Sequence, residues 1–230
     1  MAVKIFRPIL AGAQLPERLV GCIGAATCIA LTIWLCAHLG LGTADLPIIV
    51  APLGASAVLM FAVPASPLAQ PWPVIGGNVL SALMGIGVSQ AVPDTMVAAG
   101  LAVGCAILAM SLLRCLHPPG GAAALTAVIG GHAVHAAGFK FAFAPVGVNS
   151  VALVALAIVF HRLTGRSYPH VPATSAKHRA AEQQAAGLLA EDVDAALVDM
   201  HESFDIARED LSLLLARAEV HAGRRRGDPA

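Results

Sequence analysis

Four stretches of the chain, Leu19 to Leu39, Val74 to Val92, Met96 to Leu113 and Val146 to Phe160, stay apolar over about the length that a bilayer demands of a helix. A hydrocarbon core about 30 Å thick takes roughly 20 apolar residues at 1.5 Å each. Because lipid offers no partner to a backbone N–H or C=O, such stretches must satisfy themselves as α-helices. The composition agrees: 57% of the 230 residues are hydrophobic and 12% are charged. A water-soluble domain carries about 25% charged residues. The first 18 residues hold Lys4, Arg7 and Arg18 but also Pro8, Pro16 and Glu17, with no small-x-small cleavage site after the apolar run. The first span is therefore expected to be an anchor and not a signal peptide.

Two further apolar stretches are short and punctuated. Leu46 to Val63 carries Pro52 and Gly54, and Pro118 to Ala137 opens on HPPGGAAALTAVIGGH. Proline removes a donor and glycine costs backbone entropy, so each reads as a few extended residues feeding a half-length helix. Laid over each other, the two give Pro52, Gly54, Ala57 and Leu59 against Pro118, Gly120, Ala123 and Leu125, a shared P-x-G-x-x-A-x-L pattern. Farther on, Pro73-Val74 leads to Gly76 and Asn78, and Pro145-Val146 leads to Gly147 and Asn149. The expected fold is all-α and integral to the membrane: four full transmembrane helices and two broken ones in a 3+3 internal repeat, then a cytosolic amphipathic helix. If the broken segments cross fully, the second half is inverted relative to the first, as in many secondary transporters. If they dip and return, the halves are parallel and the spans number four.

Either count is even, which puts both ends of the membrane domain on one side. Lys4, Arg7, Arg18, Arg162 and Arg166 mark that side as cytoplasmic, and the loops near Thr43 and Pro67 carry no basic residue. The expected location is a bacterial inner membrane. Up to residue 173 there are 7 basic and 3 acidic residues, and the remainder has 7 and 11. Without a clustered basic excess, nucleic acid is excluded as a partner. The tail places Val193, Leu197, Met200, Phe204, Ala207, Leu211, Leu214 and Ala218 on one helical seam opposite Glu191, Asp192, Asp199, Glu202, Asp205, Glu209 and Asp210. Such a helix is repelled by an anionic leaflet and should project from it, to pack on itself or on a partner or simply to stay solvated. The expected division is a cytosolic segment 1–18, a transmembrane domain 19–166, a linker 167–190, an amphipathic acidic helix 191–222 and a disordered tail 223–230.

The chemistry that the broken helices permit is anion binding. A helix N-terminus presents unpaired N–H groups and about half a positive charge. Gly54, Ala55 and Ser56 are the expected donors behind Pro52, and Gly120, Gly121 and Ala122 behind Pro118 and Pro119. The acidic residues of the membrane domain, Glu17, Asp45 and Asp94, all lie at span ends or in loops, whereas cation pumps bury carboxylates. His117 either donates to a bound anion or titrates as it passes, or else only caps the half-helix or hydrogen-bonds a carbonyl released by the prolines. Arg114 either attracts the anion or snorkels at the membrane edge. Asn78 and Asn149 either line the site or cap their helices. His132 and His135 have ligand spacing but no third ligand, and Cys22, Cys28, Cys36, Cys105 and Cys115 lack any CxxC pairing and read as buried small hydrophobes. No nucleophile elbow, P-loop or dinucleotide fingerprint is present, so neither catalysis nor a cofactor is expected.

The run APLGASAVLMFAVPASPLAQPWPVIGGNVLSALMG (Ala51 to Gly85), then LHPPGGAAAL (Leu116 to Leu125) and HRLTGRSYPH (His161 to His170), resembles the HPP family of integral membrane proteins, named for the motif at His117, Pro118 and Pro119. The resemblance covers roughly residues 15 to 172 and implies four transmembrane helices. Members in chloroplasts and cyanobacteria are associated with nitrite transport, which implies a small inorganic anion as substrate. Asn78 stands where many members have His, and Gly120 and Ala123 replace the more usual Ala and Thr. The acidic tail resembles the linker to a paired CBS module in longer relatives, and regulation by nucleotide through that module is not expected. The reading is a transporter or channel for a nitrite- or nitrate-like anion, set in the lipid bilayer and able to self-associate through the membrane domain or the tail helix. The alternative is a non-transporting scaffold that works through its cytosolic helix.

Overall fold

A computed structural model of the chain describes residues 15–40, 49–171, 189–201 and 204–226. The readings for Lys4, Arg7, Thr43, Asp45, Leu46, Glu202, most of the linker and residues 227–230 lie outside the described residues, and the rest of the expected disordered tail, 223–226, is helical. Among the described residues every regular element is helical. Four helices are long and apolar enough to cross a membrane: α1 (Leu15–His38), α3 (Pro71–Ala91), α4 (Thr95–Leu112) and α7 (Val148–Leu163), the last entered through a π-helical turn, Ala142–Gly147. Between them stand α2 (Pro52–Ala62), a 3-10 turn at Pro67–Ala69, α5 (Pro119–Ile129) and the six-residue α6 (His132–Ala137). The helix starts are the ones the sequence writes. Proline occupies the first turn of α2, α3 and α5, and the Asp94 carboxylate caps α4 by accepting from the Val97 amide at 2.9 Å.

At 11 residues each, α2 and α5 are about 16 Å long, half of what a crossing needs. Their neighbours show that the two helices run in opposite directions between the ends of the bundle, as full crossings would. α1 and α7 run antiparallel: Gly24 packs on Phe160, the Arg166 guanidinium donates to the Glu17 carbonyl at 3.1 Å, and at the other end Cys36 donates to Asn149 at 2.9 Å. The end that holds the start of α1 and the finish of α7 is here called proximal. The last turn of α2 lies there, with Phe61 against Gly21 and Gly24. So does the start of α3, because Tyr168 donates to the Ala69 carbonyl at 2.7 Å and the His170 amide to the Gln70 side chain at 2.8 Å. α4 returns to the proximal end, where Trp72 donates to the Leu113 carbonyl at 3.2 Å. α5 runs beside α3 in the same direction, since Gly77 abuts His117 and Gly85 abuts Ala124 and Ala127. The order is out, back, out, then back, out, back, and each pass of the second half opposes its counterpart in the first.

The packing repeats under the same exchange. α1 lies on α7 and α4 on α3, each half's first helix on the other half's last. α1 packs on its own half-helix α2, as α4 does on α5, while α2 meets α5 and α3 meets α7 between the halves. The third helices are central and the first peripheral: 44% and 50% of the most apolar windows of α3 and the α7 span are buried, against 28% and 22% for α1 and α4. Leu19, Ile23 and Trp34 on α1 and Met96, Leu108 and Leu112 on α4 are exposed, the surface a bilayer would cover. The Pro67 loop is proximal, so its lack of basic residues carries no weight for orientation. Of the five cysteines, Cys28, Cys36 and Cys115 are buried as expected, and Cys22 and Cys105 are exposed.

The tail departs from a single helix. It forms α8 (Ala190–Met200) and α9 (Arg208–Arg226), with a break where His201 turns left-handed at φ 51°. The Asp205 carboxylate takes hydrogen bonds from Ser66 at 2.7 and 2.9 Å in place of continuing the helix. The break resets the phase, so α9 buries Ser212, Leu213 and Ala216 and leaves the expected seam residue Leu214 exposed. Arg208 Nε donates to Asp194 at 2.7 Å, tying α9 to α8 and holding the Asp194 carboxyl below its ordinary range. His170 meets Asp210 at 2.7 Å. The tail is docked on the proximal loops and does not project freely.

Candidate solute site between the broken helices

The chain between α4 and α5 falls from the proximal edge into the bundle, and His117 arrives at the level of Gly77, about 9 Å along α3 from Pro71. The ring is fully buried. Its Nδ1 lies 2.8 Å from the Leu68 carbonyl and its Nε2 2.8 Å from the Ser56 hydroxyl of α2. A carbonyl only accepts, so Nδ1 carries the hydrogen, and in the neutral ring Nε2 accepts from Ser56. This one contact joins the two broken helices.

Asn78 closes the cluster from α3. Its side-chain nitrogen lies 3.2 Å from the Ser56 hydroxyl and 3.3 Å from the Ser150 hydroxyl of α7. Ser150 spends its proton on the Val146 carbonyl at 2.9 Å and Ser56 spends its own on His117. Both serine oxygens therefore face Asn78 as acceptors, which identifies the facing amide atom as Nδ2. With both N–H groups used, Asn78 Oδ1 has no partner, and on the next layer Asn149 Nδ2 has none, although both residues are fully buried. An orphan acceptor and an orphan donor inside a bilayer each cost on the order of 1–3 kcal/mol unless water or a solute meets them. Among the residues of this cluster none is a carboxylate.

The expected half-helix cradle is closed. The Leu53 and Gly54 amides donate to the carbonyls of Val50 and Ala51 at 3.0 Å each, and Gly120 and Gly121 donate to His117 and Pro118 at 2.8 and 3.0 Å. Tight turns at both starts thus absorb the first donors. Gly54 and Ala55 face outward, whereas Gly120 is wedged into α3, where a Cβ would sit 2.6 Å from the Ser81 hydroxyl and 3.0 Å from the Gly77 carbonyl. Pro52 and Pro119 are buried and Pro118 is exposed. The structure brings together His117, Ser56 and Asn78, the serine through its hydroxyl and not its amide. Asn149 lies one layer away on Cys36. Neither asparagine caps its helix: Asn78 is the eighth residue of α3, and Asn149 is the second of α7, behind Gly147. Arg114 is exposed at the proximal end of α4, the edge position. His135 Nε2 is taken by the Val128 carbonyl at 3.0 Å. The sequence reading missed Ser150 and Leu68. Ser150 had a signal, because Pro73 and Pro145 superposed at constant offset place Asn78 opposite Ser150; the Leu68 carbonyl had none.

This architecture defines a class: a multi-pass α-helical membrane protein with broken helices of opposite direction around a buried polar centre. The family profile described as "HPP, transmembrane region" matches residues 11–169, more than half of the chain, and the chain belongs to that family. Two proteins of Dictyostelium discoideum, each named only as a transmembrane protein, are similar to it: one is 39% identical over 55% of this chain and 46% of its own length, the other 38% identical over 50% and 38%. The chain thus spans less than half the length of these curated relatives. No solved structure matches the chain.

Proposed function

We propose that this protein moves a small inorganic anion of the nitrite or nitrate kind across its membrane, with the Ser56–His117–Asn78 cluster as the crossing point. The observation that carries the reading is the cluster itself: two oppositely directed broken helices meet inside the bundle on neutral hydrogen-bonding groups, with orphan polar atoms beside them and no carboxylate. A neutral centre without carboxylates repels an anion far less than the acid-lined interior of a cation pump would, and among the described residues the one free amide donor beside it is Asn149 Nδ2. The closed amide turns make this an occluded arrangement, and transport requires one broken helix to shift so that its first N–H groups face the solute. The proximal end is read as cytoplasmic. Of the described Lys and Arg residues up to 171, Arg18, Arg114, Arg162 and Arg166 are proximal, and Lys140 is placed distally by the contact of neighbouring Gly138 with Gln90.

Proteoliposomes test the proposal. Entry of nitrite or nitrate should exceed that of protein-free vesicles, and His117→Ala or Asn78→Ala should cut it about tenfold or more by removing a partner from a buried network. Entry equal to that of empty vesicles for both ions would overturn it.

A further inference from the structure

A cavity of about 870 Å³ opens at the proximal end between the first turns of α1, the last turns of α2 and the segment after α7. It is separate from the polar cluster and shares no residue with it. Its wall is apolar and low in relief, built on Gly21, Ala25, Val58 and Phe61, and Val58 is 60% exposed on the face of a helix that crosses the membrane. Its rim is basic: among the described lining residues, Arg18 and Arg166 stand there with His170, against one carboxylate, Glu17. Arg166 is positioned by its bond to the Glu17 backbone oxygen at 3.1 Å, a neutral acceptor that leaves the guanidinium charge uncompensated. His170 is the rim group already engaged, through Asp210.

An apolar slot below the helix ends and a pair of guanidinium groups at the ends themselves match the two parts of one molecule, an acyl chain and a phosphate. We propose that this cavity binds an anionic diacyl phospholipid, with one chain along Val58 and Phe61 and the phosphate between Arg18 and Arg166. A soluble phosphate would use the rim and leave the slot empty. A zwitterionic lipid would use the slot, but its ammonium group would meet the rim cations. Arginine pairs phosphate oxygens in a bidentate way, and each basic residue near a membrane surface contributes on the order of 1 kcal/mol towards an anionic headgroup.

Native mass spectrometry of the full chain in detergent, titrated with phosphatidylglycerol, phosphatidylcholine or inorganic phosphate, reads the proposal. One phosphatidylglycerol should be retained in preference to phosphatidylcholine. Arg18→Gln with Arg166→Gln should weaken it about 30-fold, the equivalent of two such charges, and the double Lys variant should restore most of the loss. Val58→Trp fills the slot at an exposed position and leaves the rim intact, so it should abolish retention without unfolding the chain. Equal retention of both lipids, retention unchanged by Val58→Trp, or displacement of the lipid by inorganic phosphate would each overturn the proposal.

Discussion

The two broken helices have the same length, the same proline start and opposite direction, yet they are held in different ways. α5 is pressed into α3 with almost no side chain between the backbones: a Cβ on Gly85 would lie 2.4 Å from the Ala124 carbonyl, and Gly120 is as tightly confined. α2 makes one such contact, at its last turn, where a Cβ on Gly21 of α1 would lie 2.5 Å from the Phe61 carbonyl, and its first turns are open. A Cβ on Gly54 would meet nothing within 4 Å, and the helix is fixed by the Ser56–His117 bond at one end and by Phe61 on Phe160 and His161 at the other. Small-residue seams are how helices adhere where lipid removes the hydrophobic drive. α5 is thus a wedge confined along its length, whereas α2 is confined at its last turn and only its first turns, around Gly54, are freer to shift.

The largest effect should come from breaking the wedge. Gly85→Leu drives a side chain into backbone and should cost roughly 3 kcal/mol or more, seen as loss of folded protein after purification. Gly54→Leu, the same change at an open position of α2, should leave the melting temperature unchanged or raise stability by up to about 1 kcal/mol, because nothing lies within 4 Å of a Cβ there and leucine is a better helix former than glycine. Equal damage from both would erase the distinction. Next comes the proximal clasp. Tyr168 is buried, which pushes its hydroxyl above the ordinary tyrosine range, and it donates to Ala69. A raised value in the folded state means that the folded chain keeps a proton which the unfolded chain releases near pH 10, so stability should fall as pH rises above about 10. Tyr168→Phe should cost about 1 kcal/mol at neutral pH and flatten that alkaline decline in thermal melts. Smallest is Asp210→Asn at the tail: the partly exposed His170–Asp210 contact contributes about 1 kcal/mol or less, so the visible change should be faster proteolysis of α9 with little shift in melting.

The spans were legible because their signal is a length set by the bilayer, and the observed helices begin and end within four residues of the apolar runs. The pairing of the halves was legible at Pro52 and Pro118, but the direction of the broken segments was not, since a half-length helix fed by a few extended residues suits a crossing and a re-entrant dip equally well. Contacts far apart in sequence, such as Trp72 with Leu113 and Tyr168 with Ala69, decide it. Half of the cluster could be read as residue types: His117, Ser56 and Asn78 are polar groups in apolar surroundings. Their mutual bonding could not, because it depends on how far the turn before Pro119 descends. The closing of the amide cradle was invisible for the same reason. Any helix start has orphan donors by composition, and only coordinates show a tight turn consuming them. The tail seam continued smoothly in sequence across Phe204, but the helix stops at Met200 and Asp205, beyond the break, bonds Ser66.

The full crossing of both broken segments underlies the inverted arrangement, and one labelling experiment reads it directly. In a cysteine-free background, Ala65→Cys, Thr164→Cys and Ala136→Cys place single thiols at exposed positions in the loop after α2, at the end of α7 and on α6. A membrane-impermeant maleimide applied to vesicles of known orientation should label positions 65 and 164 from the same side and position 136 from the other. Labelling of position 65 from the side opposite to 164 would show that α2 dips and returns, and the inverted repeat would be contradicted.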